Sequence, residues 1–414
     1  MVIKKIKVTN FKSFGNLEIE LGNFNVLIGP NAAGKSNFVH IFEFLRDIVS
    51  SGLNNAVSMQ GGVEYLRNIS IGSSERLSIN VVSTQEFGLL ARRLRENLIE
   101  TKIYETIYEF ALKFNKRGSG FRIAEDKLIQ KCKFVRLDRP GKKIKEILGD
   151  GEIIIFRTNG KVKIDLNIPK RVPLKKEDIF PPFLPEEKLP NRTLLFETSY
   201  FLIWLLEGIF RDISIYDFDP KLPKKATPIT GKAELEEDGS NLSIILKNIT
   251  ENKEKRRKLF NLVKDLLPFV ENLDVEKFAD KSLLFKLQET YFKNQYLPAS
   301  LISDGTINIT ALIIALYFEK KPLVIIEEPE RNIHPYLISK VVDMMKDASQ
   351  KKQIIVTTHN PEIVKYAGLD NILLVSRDKN GFSKISRPID KEEIRTFLEH
   401  IGIEELYVQN LLRA

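Results

Sequence analysis

The chain has 414 residues, of which 43% are hydrophobic and 29% are charged, and its net charge at pH 7 is +9. This composition is typical of a soluble intracellular protein and provides enough apolar material for one composite domain or for two. Its one cysteine, Cys132, excludes an internal disulfide and a cysteine-based zinc site. The longest dense apolar run, residues 194–210, contains two glutamates, so we expect no membrane-spanning segment. Residues 1–4 are already strand-like, so we expect no signal peptide and a cytoplasmic protein.

The first motif is the segment GPNAAGKS at residues 29–36, which matches a phosphate-binding loop. In such loops backbone N–H groups approach the β-phosphate, Lys35 reaches the β and γ oxygens, and Ser36 ligates magnesium. The apolar run 25–28 before it predicts a strand, and the periodicity of residues 37–48 predicts a helix whose N-terminus points at the phosphates. The residues expected to bind the nucleotide here are Asn31, Ala32, Ala33, Gly34, Lys35, Ser36 and Asn37.

A large insertion follows the loop, because 293 positions separate Lys35 from Glu328, more than a simple nucleotide-binding sheet requires. Alternating or β-rich composition predicts an antiparallel β layer, and the β-rich insertion is expected at about residues 85–190. The predicted strands are 75–83, 103–114, 142–155 and 161–166, with breaks at 117–120, 149–151 and 159–160. A helix is predicted for residues 193–210, and a strand at 213–218 is expected to return the chain to the main sheet.

Residues 232–275 are charged and helix-prone, and their apolar stripes predict a helical subdomain or short arm. The basic run 253–258 inside them is more often a solvated helix face than a binding site. Residues 282–287 predict a short strand. We therefore expect three parts: lobe I at residues 1–230, the arm subdomain at 231–297, and lobe II at 298–414.

Two adjacent glutamates follow a second strong strand pattern. The apolar run 323–326 is typical of a buried parallel strand, and Glu327 and Glu328 come at its carboxyl end, the edge that faces the phosphate loop. Two buried acids without partners would be costly. A magnesium ion at Glu327 and an attacking water at Glu328 would offset that cost. The alternative is a solvated strand end with ordinary acidic residues.

Of the four histidines, His359 has the most informative context. It follows the predicted strand 353–356 and lies 31 positions after Glu328. This placement makes it a candidate site residue, against the alternative of a packed or surface histidine. His40 and His400 lack such context and are expected to be structural, whereas for His334 both interpretations stay open.

The basic net charge has two interpretations that the sequence leaves open. Clustered Lys and Arg side chains release counterions from nucleic-acid phosphates, which favours DNA binding. Abundant Lys, Glu and Ile with few Gln, Cys and Met is also typical of thermophilic chains. The basic clusters lie at residues 142–145, 170–176 and 221–225, in the inserted region, where a DNA- or partner-binding surface is expected.

The order of the phosphate loop, Ser-Asp-Gly-Thr at 303–306, the strand ending in Glu-Glu-Pro, and Thr-His-Asn-Pro resembles the ABC-type ATPase superfamily. More narrowly, the chain is similar to the RecF/SMC-like and OLD-like ATPases of DNA repair and phage defence. Their heads begin with a strand and a Phe-Lys-Ser-Phe element, present here at 11–14. The resemblance covers residues 1–50 and 298–375 well and the middle in outline. It implies an α/β P-loop NTPase fold, an ABC-type ATPase head with an antiparallel β layer in lobe I and a helical insertion before the signature segment.

The resemblance also implies ATP and Mg²⁺ as the bound groups and gives each motif a role. Lys35 and Ser36 hold the phosphates and magnesium, and Glu327 supports the metal. Glu328 polarises the attacking water, and His359 senses the γ-phosphate.

Other matching residues imply a homodimer that forms on ATP binding. Ser303 and Gly305 match the signature segment, which in this family binds the nucleotide of the opposite subunit. Two ATP molecules would then lie between the subunits of a head-to-head dimer, each in a composite site formed by both subunits. Residues 332–335 resemble the loop that follows the catalytic acid and crosses the dimer interface, and Lys12 and Ser13 are also expected near the nucleotide.

The sequence departs from the family pattern at three points. Asp304 stands where many transporters have glycine, a change compatible with a weaker grip on the γ-phosphate and slow hydrolysis. Glu327 stands where many relatives have aspartate, so we expect its metal support to be indirect, through water. No glutamine loop is identified, and Asp217 or Asp219 is the positional candidate.

Three classes of function remain open. The first is a DNA-associated or defence ATPase whose dimerisation gates a separate nuclease or toxin, the second a slowly hydrolysing regulatory switch or scaffold, and the third a transporter-coupling ATPase. The β-rich insertion and the segment 327–335 favour the first over the third. Only about 40 residues follow Val375, too few for a nuclease domain, so we expect any cutting activity in a separate protein.

Overall fold

The computed structural model describes residues 2–409 except 95–96, 117–119, 138–143, 173–174, 177–187, 199–207, 209, 280, 293–294, 391, 393 and 395–400. Within these residues the helices are α1 (Lys35–Ser51), α2 (Leu53–Met59), α3 (Val63–Leu66), α4 (Leu242–Thr250), α5 (Lys253–Leu266), α6 (Asp304–Tyr317), α7 (Pro335–Ser349), α8 (Pro361–Ala367) and α9 (Ile403–Val408). The strands are β1 (Val2–Phe11), β2 (Phe14–Glu20), β3 (Phe24–Ile28), β4 (Leu77–Leu94), β5 (Asn97–Phe114), β6 (Phe121–Leu137), β7 (Ile144–Thr158), β8 (Lys161–Asn167), β9 (Ile213–Tyr216), β10 (Thr227–Pro228), β11 (Val270–Phe278), β12 (Ser282–Glu289), β13 (Leu297–Pro298), β14 (Leu323–Glu327), β15 (Gln353–Thr358), β16 (Ile372–Arg377) and β17 (Ser383–Ser386). Short 3-10 helices cover Leu195–Glu197, Ala299–Leu301, Leu369–Asn371 and Pro388–Asp390.

The chain divides into two compact units. Unit 1 comprises Met1–Gly22, Asn37–Asp212 and Arg377–Ile385, and unit 2 comprises Asn23–Ser36, Ile213–Ser376 and Ser386–Ala414. The lobe boundaries predicted at residues 230 and 297 stay predictions. Among the described residues, no helix is both long and apolar enough to cross a membrane.

Unit 1 is built on an antiparallel sheet in the order β2-β1-β4-β5-β6-β7-β8. This confirms the predicted antiparallel β layer, although β4 and β5 are longer than predicted and β6 was not predicted at all. On β6 the inward positions include Asp126 and Gln130 as well as Leu128, Cys132 and Phe134, and all five side chains are buried. Because two inward positions are polar, the alternation of hydrophobicity that reveals a half-buried strand is broken in the sequence.

The predicted breaks in this layer have different outcomes. Asn159 and Gly160 form the two-residue turn between β7 and β8, with φ of 50° and 78°, as a type I′ hairpin requires. The break predicted at residues 149–151 is wrong, because these residues lie inside β7. There the pairing with β6 shifts register between Phe134 and Val135, so the glycines accommodate a β-bulge. Of the break at 117–120, residues 117–119 lie outside the described residues.

A buried acid anchors the segment that follows this sheet. Asp126 is fully buried, and its carboxylate accepts hydrogen bonds from the Tyr108 hydroxyl at 2.6 Å and from the Leu195 backbone N–H at 2.8 Å. Burial raises the pKa of Asp126 to about 7. The helix predicted for residues 193–210 is only partly described: Leu195–Glu197 form a short 3-10 helix, residues 208 and 210 are helical, and residues 199–207 and 209 lie outside the described residues.

We expect the stability of the protein to fall between about pH 4 and pH 7 because of Asp126. Its pKa is raised above the unfolded value near 3.8, so in this window the folded chain binds more protons than the unfolded chain. The contribution is complete below about pH 4 and is lost as the pH rises through the folded pKa, with a slope of up to about 1.4 kcal/mol per pH unit. Melting temperatures from pH 5 to 8 should fall less steeply in Asp126→Asn; an equally steep fall in that variant would contradict this assignment.

Unit 2 contains a parallel sheet in the order β16-β3-β15-β14-β9. This confirms the strands predicted at 25–28, 213–218, 323–326 and 353–356, and it explains their continuous apolar character, since both faces of a parallel sheet are covered. Helix α6 is buried from residue 306 to residue 316, so it forms the centre of the core of unit 2. Because the strands are parallel, the segments that follow β3, β14 and β15 lie at one edge.

The stretch before helix α6 is partly helical and partly β. Helices α4 and α5 confirm the helical prediction for residues 242–266, and β12 confirms the strand predicted at 282–287. At residues 270–275 the helical prediction is wrong, because Val270 and Leu273 are buried on β11, which pairs with β12 in an antiparallel sheet. Cross-strand burial overrides the helix propensity of the charged residues between them.

Candidate functional site

The segment Gly29–Ser36 forms a tight loop between β3 and α1 in unit 2. The Ala33 N–H donates to the Pro30 carbonyl at 3.2 Å, and Lys35 Nζ donates to the Gly29 carbonyl at 2.7 Å. A Cβ at Gly29 would lie 2.2 Å from the Val375 carbonyl oxygen, so the approach of β16 leaves room only for glycine. Gly29 therefore has a packing reason in addition to the phosphate-binding role predicted for the motif.

Ser36 and Glu327 meet although 291 positions separate them. Ser36 Oγ lies 3.5 Å from Glu327 Oε2. Burial lowers the pKa of Lys35, and the carboxylates of Glu328, Glu330 and Glu327 oppose that shift. A lysine, a hydroxyl and several acids thus converge at the carboxyl edge of β3 and β14, as the spacing of the motifs predicted.

The oxygens at this position fit a magnesium ion. Mg²⁺ prefers hard oxygen ligands, is commonly held by one or two protein groups, and takes its remaining ligands from phosphates and water. The hydroxyl of Ser36 and the carboxylate of Glu327 are such groups, and they are already close together. They are the residues that would hold the ion.

Glu328 has a defined orientation. Its φ is 45°, and its backbone N–H donates to the Thr357 carbonyl at 2.9 Å. His359 Nδ1 lies 3.0 Å from Glu328 Oε1, and Arg331 Nη2 donates to Oε2 at 3.1 Å. The structure therefore brings the predicted acid and the predicted switch histidine into direct contact, and both remain partly exposed.

Glu330 belongs to the same cluster, and the sequence interpretation missed it. It is 9% exposed, and its Oε1 accepts from the Thr358 hydroxyl at 2.5 Å. The same hydroxyl accepts from the Asn360 N–H at 2.9 Å, so Glu330 fixes the segment that carries His359. Burial raises the pKa of Glu330. A third glutamate in the sequence EEPE was the available clue.

The predicted signature residues lie at the N-terminus of α6. Ser303 is exposed, and its Oγ accepts from the Thr306 N–H at 3.2 Å and so caps the helix. Asp304 pairs with Lys224 Nζ at 2.6 Å. A Cβ at Gly305 would lie 2.6 Å from the Asn332 carbonyl oxygen, so the glycine allows α6 to touch the loop after β14.

Three other predicted nucleotide-binding residues, Lys12, Ser13 and Asn37, lie in unit 1. Asn37 Nδ2 donates to Ser13 Oγ at 2.7 Å, and Ser383 Oγ lies 2.8 Å from the same hydroxyl. The Lys12 N–H donates to the Leu66 carbonyl at 2.9 Å, and burial lowers the pKa of its ammonium. These contacts hold the Phe-Lys-Ser-Phe turn, and a role at the nucleotide stays a prediction.

The remaining histidines have local contacts. Burial lowers the pKa of His40 to about 4, so this side chain is neutral at physiological pH, and its Nε2 lies 3.7 Å from Glu43. His334 caps α7 by accepting from the Tyr336 N–H at 3.4 Å. His400 lies outside the described residues.

Residues 24–365 match the model of a protein family described as "AAA domain, putative AbiEii toxin, Type IV TA system". The chain belongs to this family. Membership confirms the predicted AAA-family ATPase domain, and the α/β architecture with its antiparallel sheet confirms the predicted fold class.

Individual relatives are distant. The chain is 23% identical over 150 residues to "Uncharacterized protein MJECL43" of Methanocaldococcus jannaschii, a match that covers 33% of this chain and 39% of that protein. Among solved structures it is similar to an SMC head "bound to the C-winged helix domain of ScpA", at 15% identity, a TM-score of 0.47 and coverage of 93% and 98% of the two chains. It is also similar to the SMC head domain from Thermotoga maritima, at 14% identity, a TM-score of 0.41 and coverage of 94% and 99%.

Proposed function

We propose that the chain binds ATP with Mg²⁺ at the loop Gly29–Ser36 and hydrolyses it. The observation that carries this proposal is the meeting of Ser36 Oγ and Glu327 Oε2 at 3.5 Å, beside a glutamate held by a histidine. The loop, the metal-binding oxygens and a candidate base lie within one compact unit.

In the proposed reaction a water attacks the γ-phosphorus of ATP. A bond forms between the water oxygen and phosphorus, the bond from phosphorus to the β,γ-bridging oxygen breaks, and Glu328 accepts the proton of the water. Lys35 neutralises charge on the β and γ oxygens, and His359 contacts the γ-phosphate. Magnesium, when bound at Ser36 and Glu327, supplies further charge neutralisation.

We further propose that two copies pair head to head, with Ser303 of each facing the γ-phosphate held by the other. Three features support this. Ser303 is exposed at the N-terminus of α6, where backbone N–H groups favour an anion. Leu301 and Tyr336, at 69% and 64% exposure, flank the signature segment and the loop 332–335. The close approach of Gly305 to Asn332 brings those two segments together.

We propose that the protein is cytoplasmic. We also propose that it couples ATP binding and hydrolysis to DNA binding or to the control of a partner effector such as a nuclease or toxin. The family description, which names a toxin system, supports the defence branch of this proposal. Of the predicted basic clusters, Lys224 is engaged with Asp304, and residues 142–143 lie outside the described residues. ATPase rates with and without duplex DNA, compared across salt concentrations, test the DNA branch, because phosphate contacts weaken steeply with salt.

A slowly hydrolysing switch is the second candidate, and Asp304 favours it. An acid in the first turn of α6 adds negative charge where the partner's γ-phosphate is proposed to lie, although Lys224 offsets part of it. A turnover number near or below about 10⁻² per second in the dimer would favour the switch over a processive ATPase.

Turnover should require Mg²⁺ and should depend on Ser36. In Ser36→Ala the affinity for Mg²⁺ with ATP is expected to fall at least about 10-fold, because one oxygen ligand is lost. Ser50→Ala is the matched control, since the Ser50 hydroxyl on the same helix bonds only to the Asp47 carbonyl at 3.3 Å among its described contacts. Steady-state ATPase assays over a Mg²⁺ titration measure both variants. Equal Mg²⁺ dependence in Ser36→Ala and wild type would remove Ser36 from the metal site.

A further inference from the structure

Arg331 connects the candidate base to a second strand end. Its Nη2 donates to Glu328 Oε2 at 3.1 Å, and its Nη1 donates to Asp217 Oδ1 at 2.8 Å and to the Phe218 carbonyl at 3.4 Å. Asp217 directly follows β9, which lies beside β14 in the parallel sheet. We propose that Arg331 is a positioning residue that orients the Glu328 carboxylate for hydrolysis. This inference rests on the proposed function.

The turn after β14 directs Arg331 back onto Glu328. The Arg331 N–H donates to the Glu328 carbonyl at 3.0 Å, and the positive φ of Glu328 bends the chain sharply. The planar guanidinium then uses its two ends for two carboxylates, a geometry that a lysine ammonium does not reproduce. Arg331 therefore bridges the carboxylates that follow the ends of β14 and β9.

The carboxylate of Glu328 is fixed at both oxygens. His359 Nδ1 contacts Oε1 at 3.0 Å while Arg331 contacts Oε2, so rotation of the carboxylate plane is restricted. Each carboxylate oxygen has a further lone pair with which to accept a hydrogen bond from water. Without Arg331 the carboxylate is held at one oxygen only, and the base loses its fixed direction.

The backbone of Arg331 is tied to the signature helix. Asn308, buried on α6, donates from Nδ2 to the Arg331 carbonyl at 2.6 Å, and the next residue, Asn332, packs against Gly305. Because Ser303 begins the same helix, a displacement of α6 at the dimer interface would be passed to Arg331 and from there to Glu328. This contact links the proposed pairing of two copies to the orientation of the base.

The ion pairs of Arg331 are partly exposed, at 40% for Arg331 and 31% for Glu328. Pairs of this kind contribute little to folding stability. A residue that acts only structurally would change the melting temperature, whereas a positioning residue changes turnover. This difference separates the two roles by experiment.

Arg331→Met should lower kcat by about 10- to 100-fold, the size of effect expected when a reacting group is misplaced by about 1 Å. KM for ATP, binding of a fluorescent ATP analogue and the melting temperature should stay near wild type. Arg331→Lys should recover only part of the lost kcat, because lysine keeps the positive charge but lacks the planar guanidinium that contacts two carboxylates. Arg136→Met is the matched control, since Arg136 pairs with Glu146 at 2.7 Å in unit 1, and it should leave kcat unchanged.

Two further variants complete the test. In the Glu328→Gln background, Arg331→Met should cause no additional loss of kcat, because Arg331 acts through the Glu328 carboxylate. Asp217→Asn, which weakens the ion pair between Asp217 and Arg331, should lower kcat by at least about 3-fold with KM unchanged. This variant serves as the test if Arg331→Met does not fold.

The outcomes separate the inference from the proposed function. A normal kcat in Arg331→Met would overturn the inference. If Arg331→Met does not fold, a normal kcat in Asp217→Asn would overturn it instead. In either case, loss of activity in Glu328→Gln would still support the proposed function. An equal further loss in the Glu328→Gln background would also overturn it, since Arg331 would then act elsewhere. Full activity of Glu328→Gln itself would instead refute the assignment of the base.

Discussion

Glu328→Gln should lower kcat for ATP about 10²- to 10⁴-fold, the usual contribution of a general base, while ATP still binds. Glutamine has nearly the same shape as glutamate, and its amide oxygen can still accept the hydrogen bond from Arg331. It cannot accept a proton from water at neutral pH. The variant therefore removes the base while keeping the contact with Arg331.

The same variant should accumulate as an ATP-bound dimer, because the proposed dimer opens after hydrolysis. Sedimentation velocity with ATP and Mg²⁺ measures the dimer fraction, and a phosphate-release assay measures turnover. Glu251→Gln is a suitable control, since Glu251 is 64% exposed in its side chain at the end of α4. Rapid hydrolysis by Glu328→Gln would show that another group accepts the proton.

Ser303→Arg should abolish ATP-dependent pairing while a monomer still binds ATP. Ser303 is exposed at the N-terminus of α6, so a long cationic side chain there projects from the proposed interface. Loss of a central interface contact is worth at least about 2 kcal/mol, or roughly a 30-fold weaker dimer, and turnover should fall with it. Analytical ultracentrifugation across a concentration series measures the dimer constant.

The control for this variant is Ser303→Ala, which separates pairing from helix capping. Alanine removes the hydroxyl that accepts from the Thr306 N–H, at a cost of about 1 kcal/mol in stability, but adds no bulk. A lower melting temperature with pairing largely retained is expected for Ser303→Ala. Normal ATP-dependent dimerisation of Ser303→Arg would contradict the proposed role of Ser303 in the partner's site.

The parts of the site that could be predicted are those whose residues form a pattern within a short stretch of sequence. The loop 29–36 sits between a strand and a helix, and Glu327 ends a run of apolar residues, so both could be placed at the same sheet edge. The roles of these residues remain predictions. The parallel strands were predicted for the same reason, because strands that are buried on both faces leave continuous apolar patterns.

The contacts that the sequence did not predict are long-range or depend on backbone geometry. The pairing of Arg331 with Asp217 joins residues 114 positions apart, and it requires the sharp turn at Glu328, whose φ of 45° is unusual for a non-glycine residue. Glu330 was missed because it lies in the turn after β14 and its partner, Thr358, is 28 positions away on β15. Strand β6 was missed because Asp126 and Gln130 occupy inward positions where an apolar pattern was expected.

One structure determination tests most directly whether distant segments meet around a single triphosphate. We expect crystals of the chain grown with Mg²⁺ and a non-hydrolysable ATP analogue to contain the triphosphate in the loop Gly29–Ser36. The ion should contact Ser36 Oγ and should reach Glu327 directly or through one water. A triphosphate bound elsewhere, or an ion beyond the reach of Glu327 through one water, would contradict the proposed site.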